Sequence, residues 1–171
     1  MDVIESGWIT MGEKTLSFEE SFAEFLGPGT YCTATSSGTA ALHMALLAAG
    51  VGPGDEVIIP SLTFVADINV VRLVGASPIL VDCTSYDDWN ISPEGIAAAV
   101  TPRTKAVLVM HYAGYVCDMD AIEAAIHEAS EGRTIYLIED AAHAPGADHR
   151  GRACGTIGHV GCFSFFTNKN L

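Results

Sequence analysis

Lys105-Ala106-Val107-Leu108-Val109-Met110, the helix-like stretch Met119–Ala129 and the apolar run Thr134-Ile135-Tyr136-Leu137-Ile138 decide the fold. Short, nearly continuous apolar runs of this kind read as strands buried on both faces. A strand, a helix and a strand in that order make the crossover unit of a parallel sheet. Upstream the alternation continues, with strands over Glu56–Ile59 and Pro78–Val81 separated by a helix over Val65–Val74. Ser92-Pro93-Glu94 supplies an N-cap, a proline at the first helical position and an acid in the first turn. Thr39–Ala49 is an Ala/Leu-rich helix closed by Gly50, preceded by a strand over Tyr31–Thr35. Ser17-Phe18-Glu19-Glu20 is a capping box, expected to open an amphipathic helix that ends near Gly27-Pro28-Gly29. Downstream, Val160–Phe165 is a last strand. Six strands and about five helices, with no repeat or low-complexity tract, predict a three-layer, doubly wound α/β fold with a mostly parallel sheet.

Composition narrows the function. The 171 residues carry 21 acidic and 8 basic side chains, a net charge of −13, with 49% hydrophobic residues. That hydrophobicity excludes intrinsic disorder, and a domain of this size buries about 70% of its unfolded surface. A surface this acidic repels phosphate backbones, so no nucleic-acid partner is expected. The start, Met1-Asp2-Val3-Ile4-Glu5-Ser6, is acidic where a secretory signal would be basic and then apolar. No membrane span is expected either, because the run from Val57 to Val81 is broken by Pro60, Asp67, Arg72 and Pro78. Five cysteines at irregular spacing (Cys32, Cys83, Cys117, Cys154, Cys162) argue against a disulfide framework and for reduced thiols in a cytoplasmic protein. Cys154, His159 and Cys162 lack a fourth partner at ligand-like spacing, so no metal is assigned.

In a doubly wound sheet, ligands bind beyond the carboxyl ends of the strands. Three loops there carry suitable chemistry. Thr35-Ser36-Ser37-Gly38-Thr39 leads into a helix, where free backbone N–H groups, Gly38 and the Thr39 hydroxyl make a phosphate cradle; small residues also cap ordinary helices. Glu139-Asp140-Ala141-Ala142-His143 ends an apolar strand with two acids, one of which could simply cap the next helix. Ser164-Phe165-Phe166-Thr167-Asn168-Lys169 carries a lone lysine, a type of residue that is usually a solvated cation. Here no other charged side chain stands between Val160 and Leu171, and apolar surroundings depress an amine's pKa and make it nucleophilic. A phosphate cradle, a carboxylate and a desolvated lysine together fit pyridoxal 5′-phosphate, which needs an anion site, an acid at its ring nitrogen and an amine for its aldehyde.

The chain also resembles the sugar aminotransferases of the DegT/DnrJ/StrS family. The resemblance rests on Ser6-Gly7-Trp8-Ile9-Thr10, Ser36-Ser37-Gly38-Thr39-Ala40-Ala41-Leu42, Gly54-Asp55-Glu56-Val57-Ile58 and Pro60-Ser61-Leu62-Thr63-Phe64. It continues through Gly75-Ala76, Val81-Asp82, His111-Tyr112-Ala113-Gly114, Asp118-Met119-Asp120-Ala121-Ile122 and Ile138-Glu139-Asp140-Ala141-Ala142-His143-Ala144, and ends on Phe163 to Leu171. It implies the large domain of a fold type I pyridoxal-phosphate enzyme over residues 1–171, with an active site formed at a homodimer interface. By the same resemblance Lys169 holds the cofactor covalently, and Asp140 pairs with its ring nitrogen. Gly38, Thr39 and Ser164 hold the phosphate, Phe64 stacks on the ring, and His143 stands near the ring hydroxyl. The implied reaction moves an amino group from a donor, glutamate, to a keto sugar nucleotide.

Two departures qualify this. Members are roughly twice as long, so the resemblance implies an incomplete large domain, lacking its last strand and the small domain. In the family that last strand lies beside the first, so Tyr31–Thr35 is expected to lose its neighbour, and the piece to be inactive and prone to associate. The loop also reads Thr167-Asn168-Lys169 where many members have a proline. Two rival readings are a sugar dehydratase of the same fold, against which Lys169 argues because that branch carries histidine there, and a non-catalytic fragment that binds a partner or nucleotide. Lys14, Arg103, Arg150 and Arg152 are candidates for steering anionic substrates.

Overall fold

A computed structural model describes residues 2–169. Its contacts divide the chain into two units, one up to Ser36 and the other from Ser37.

The first unit holds α1, Asp2–Ser6, and α2, Glu13–Leu26. α2 corrects the capping-box expectation. It starts at Glu13, with Thr15 and Leu16 N–H groups donating to the Gly12 carbonyl, so Ser17 lies inside the helix rather than at its cap. Phe18, Phe22 and Phe25 stack along one side, at centroid spacings of 5.9 and 5.8 Å. Residues 31–35, expected to form a strand, belong to no ladder among the described residues. Extended conformation alone does not make a strand: without a neighbouring edge to receive them the backbone groups go elsewhere, and the Ala34 N–H donates to Glu19 Oε1 at 2.6 Å.

The second unit contains the predicted alternation. In chain order it runs α3 (Gly38–Ala48), β1 (Glu56–Pro60), α4 (Val65–Leu73), β2 (Ser77–Val81), α5 (Pro93–Ala99) and β3 (Thr104–Met110). It continues with a 3₁₀ turn (Tyr112–Gly114), α6 (Met119–Ala129), β4 (Tyr136–Asp140), a short hairpin of β5 (Asp148–His149) and β6 (Arg152–Ala153), and β7 (Val160–Cys162). The sheet order is β2-β1-β3-β4-β7, with every pairing parallel. The antiparallel β5–β6 hairpin was not foreseen; only two residue pairs form it, too short a stretch to show an alternating pattern. β7 stops at Cys162, three residues before the expected end, where its pairing with β4 runs out at Asp140.

Side-chain alternation along the strands builds two cores. Val57, Ile59, Ala106, Leu108 and Ile138 face α3 and α4 and pack with Leu42, Leu46, Val70 and Val71. Ile58, Val107, Val109 and Leu137 face α5 and α6 and pack with Ile96, Met119, Ile122 and Ile126. Full burial of a side chain of this size contributes about 1.5–3 kcal/mol, which makes the two layers the main source of stability. The three-layer parallel architecture agrees with the expectation. After β2 the chain returns to the other side of β1 to form β3, so the order reverses between these strands. Ligand crevices form beyond the strand ends at such a reversal.

Candidate active site

β1 delivers Ser61–Phe64 to that crevice, β3 ends in Met110, β4 ends in Asp140, and β7 leads into Phe163 and Ser164. The Thr63 hydroxyl and the Phe64 N–H donate to Met110 Sδ at 3.3 and 3.4 Å, tying the ends of β1 and β3 together. Phe64 is 53% exposed. Lys169 Nζ sits 5.7 Å from the centroid of that ring and 2.7 Å from His143 Nε2. His143 Nδ1 accepts the Ala113 N–H at 3.2 Å. Burial, and then the Lys169 charge, hold His143 below its ordinary value. Ala113 reaches this contact from a left-handed conformation, φ 54°.

The phosphate side is built from α3 and the segment after β7. Ser37 caps α3, its hydroxyl accepting the Ala40 N–H at 3.1 Å. Gly38 and Thr39, in the first turn, have no intrahelical acceptor for their N–H groups and present them at the positive end of the helix. A methyl group at Gly38 would lie 3.1 Å from Ser164 Cβ and 3.5 Å from its hydroxyl oxygen. Glycine therefore lets the helix start approach Ser164 and the Phe163 carbonyl closely.

The two adjacent acids part company at the end of β4. Asp140 points to the α3–α4 face and is 3% exposed, with Oδ1 accepting the Ala142 N–H at 2.9 Å. Burial raises its carboxyl, against the Ala142 hydrogen bond and the charges of His143 and Lys169. Glu139 points to the other face and holds the loop before β7. Its Oε1 accepts the Ile157 and Gly158 N–H groups at 2.7 and 2.6 Å, and its Oε2 accepts the Gly155 N–H at 2.7 Å and His111 Nε2–H at 3.0 Å.

Every residue singled out in the sequence (Gly38, Thr39, Phe64, Asp140, His143, Ser164 and Lys169) thus lies at the carboxyl edge of the sheet or at the helix start beside it. Three of the candidate steering cations are paired with acids. Arg103 pairs with buried Glu56, while Arg150 and Arg152 pair with Asp120. Cys154 and Cys162 are buried, and burial pushes both thiols up to about 12. His159 Nδ1 accepts the Leu137 N–H at 3.0 Å. Sequence reading missed Thr63, Met110 and above all Asp67, which is fully buried on α4 behind the site. The signal was present: Asp67 is a single acid in an otherwise apolar helix turn.

The parallel α/β sheet thus brings a lysine, a buried aspartate and the start of α3 to one edge. The chain belongs to the DegT/DnrJ/EryC1/StrS aminotransferase family, whose model matches residues 1–171. It is similar to an aminotransferase from Psychrobacter cryohalolentis, with 41% identity and a TM-score of 0.88 over 98% of this chain and 42% of that one. A sugar aminotransferase of Streptococcus pneumoniae in its PLP form matches at 34% identity and a TM-score of 0.93, over 99% of this chain and 46% of that one. DesV of S. venezuelae, solved with a ketimine intermediate, matches at 38% identity and a TM-score of 0.86, over 94% and 42%. The chain thus spans less than half the length of these relatives. No helix among the described residues is long and apolar enough to cross a membrane.

Proposed function

We propose that this site binds pyridoxal 5′-phosphate and serves an aminotransferase acting on a keto sugar nucleotide, with glutamate as amino donor and a second copy of the chain completing the site. The observation that carries the reading is the seat of Lys169, over Phe64 and against His143, within electrostatic range of buried Asp140. The residues present fit the cofactor. The Gly38 and Thr39 N–H groups at the start of α3, close to Ser164, suit a phosphate; the exposed Phe64 suits an aromatic ring; and buried Asp140 suits a protonated ring nitrogen.

When bound, the cofactor supplies an aldehyde for the amine and a ring that takes up the electron pair released at the donor's carbon. The chain supplies the rest. The Gly38 and Thr39 N–H groups and the Thr39 and Ser164 hydroxyls bind the phosphate. Phe64 orients the ring, and Asp140 holds the proton on its nitrogen through a charge-assisted hydrogen bond. Lys169 Nζ anchors the cofactor and, once displaced, takes the donor's Cα proton and returns it. His143 Nε2, 2.7 Å from Nζ, keeps that amine in place. Lysine at 169 disfavours the dehydratase alternative.

The test is to incubate the chain with pyridoxal phosphate, reduce with borohydride, and map the label by mass spectrometry. Label on Lys169, lost in Lys169→Ala along with the visible absorbance, is the expected result. Label spread equally over Lys14 and Lys105, or absorbance retained in the variant, would overturn the assignment.

A further inference from the structure

Two buried carboxyls stand where the cofactor reading calls for one. Asp67, in the first turn of α4, is fully buried, and Asp140 at the end of β4 is nearly so. The two carboxyls are close enough to act on one another's charge. Asp67 Oδ2 accepts from the Thr63 hydroxyl, whereas Oδ1 is buried with no donor facing it. The other titratable groups around the pair are Cys162 on β7, whose high-pKa thiol brings no charge, and His143 and Lys169, which act on Asp140.

Two acceptors cannot satisfy one another, and two negative charges in a dry pocket repel strongly. A proton on one carboxyl turns the repulsive contact into a hydrogen bond. We propose, resting on the cofactor reading above, that Asp67 is a positioning residue. As the neutral acid it donates a hydrogen bond to Asp140, fixing that carboxylate as a single charge directed at the ring nitrogen of pyridoxal phosphate. Burial, and then the Asp140 charge, push Asp67 up to about 8; burial also raises Asp140, but there the Ala142 N–H, Asp67, His143 and Lys169 oppose it. Asp67 has a buried oxygen without a donor, whereas Asp140 already accepts the Ala142 N–H, so Asp67 is the acid that holds the proton. The arrangement gives the ring nitrogen a partner held by two hydrogen bonds, one from the Ala142 backbone and one from a side chain on a different element.

The experiment has two arms. In the first, thermal unfolding of the chain without cofactor is followed across pH for wild type and Asp67→Asn. The folded chain holds a proton that the unfolded chain releases at about pH 4. Wild-type stability should therefore fall as pH rises from there to about 8. Asp67→Asn cannot titrate, so its midpoint should gain on wild type across that window. In the second, the dissociation constant for pyridoxal phosphate is measured near neutral pH by absorbance. Asp67→Leu, which has no donor, should bind about tenfold more weakly or worse, and Asp67→Asn, which keeps an N–H donor, should rescue binding. Parallel pH curves for wild type and Asp67→Asn would overturn the shared proton while leaving the cofactor reading intact. Unchanged affinity in Asp67→Leu, or no rescue by Asn, would overturn the positioning role. Failure of the wild-type chain to bind cofactor at all would overturn the cofactor reading and the positioning role together.

Discussion

Glu139→Gln changes one atom in a buried side chain, and the structure states what that atom costs. Each carboxylate oxygen accepts two hydrogen bonds: Oε1 from the Ile157 and Gly158 N–H groups, Oε2 from the Gly155 N–H and His111 Nε2–H. In glutamine one of these oxygens becomes an NH₂ group, and two donors then face a donor. His111 cannot relieve the clash by moving its proton, because its Nδ1 already accepts the Cys117 N–H at 3.2 Å. Nor can the loop move away freely: Gly155 sits at φ +85° with a would-be Cβ 2.2 Å from the Phe163 ring. Two lost hydrogen bonds to a charged group, at about 1.5–3 kcal/mol each, give a loss of about 3–6 kcal/mol. Against a total stability of about 5–15 kcal/mol, that is a large fraction. Urea unfolding at neutral pH should show the midpoint falling with little change in slope. The acid limb provides a second check. Burial alone would raise Glu139, but the hydrogen bonds from His111, Gly158 and Gly155 hold it below its ordinary value. Its contribution is therefore present above about pH 4 and lost as pH falls through the lower, folded value. Glu139→Gln should lack that acid-side loss. A variant within about 1 kcal/mol of wild type would refute the account of the loop, since ordinary surface changes already reach about half that.

Gly38→Ala should weaken pyridoxal phosphate binding by about tenfold, because its methyl group pushes Ser164 away by a few tenths of an ångström. Its unfolding midpoint should move little, since alanine in a helix is favoured over glycine by about 1 kcal/mol; unchanged affinity would place the phosphate elsewhere. Asp140→Asn should retain bound cofactor yet slow its amination by glutamate, followed by absorbance, by about 10²–10³. A rate within about threefold of wild type, well short of that loss, would reduce Asp140 to a structural acid.

Most elements of the second unit were readable residue by residue, because apolar runs and capping residues act locally. α6 begins and ends where its sequence pattern does, and Ser92 accepts the Gly95 N–H as an N-cap should. Lys169 stood out because its neighbours carry no charge, and Gly38 because it follows small polar residues. Strand ends shifted by one to three residues, since a strand stops where its partner stops, and partners come from distant parts of the chain. Tyr31–Thr35 shows the same limit in full: its composition suits a strand, yet residues 31–35 enter no ladder. The pair Glu139-Asp140 is the sharpest case. Sequence places two acids at the end of a buried strand and leaves their roles open. The pleat then sends them to opposite faces, with Asp140 level with Met110 and Cys162 on its neighbouring strands. On one face Glu139 meets four donors and becomes an anchor; on the other Asp140 meets Asp67 beside the lysine. Adjacent residues in a strand share composition but not surroundings, and surroundings decide whether a carboxylate stabilises a loop or serves a site.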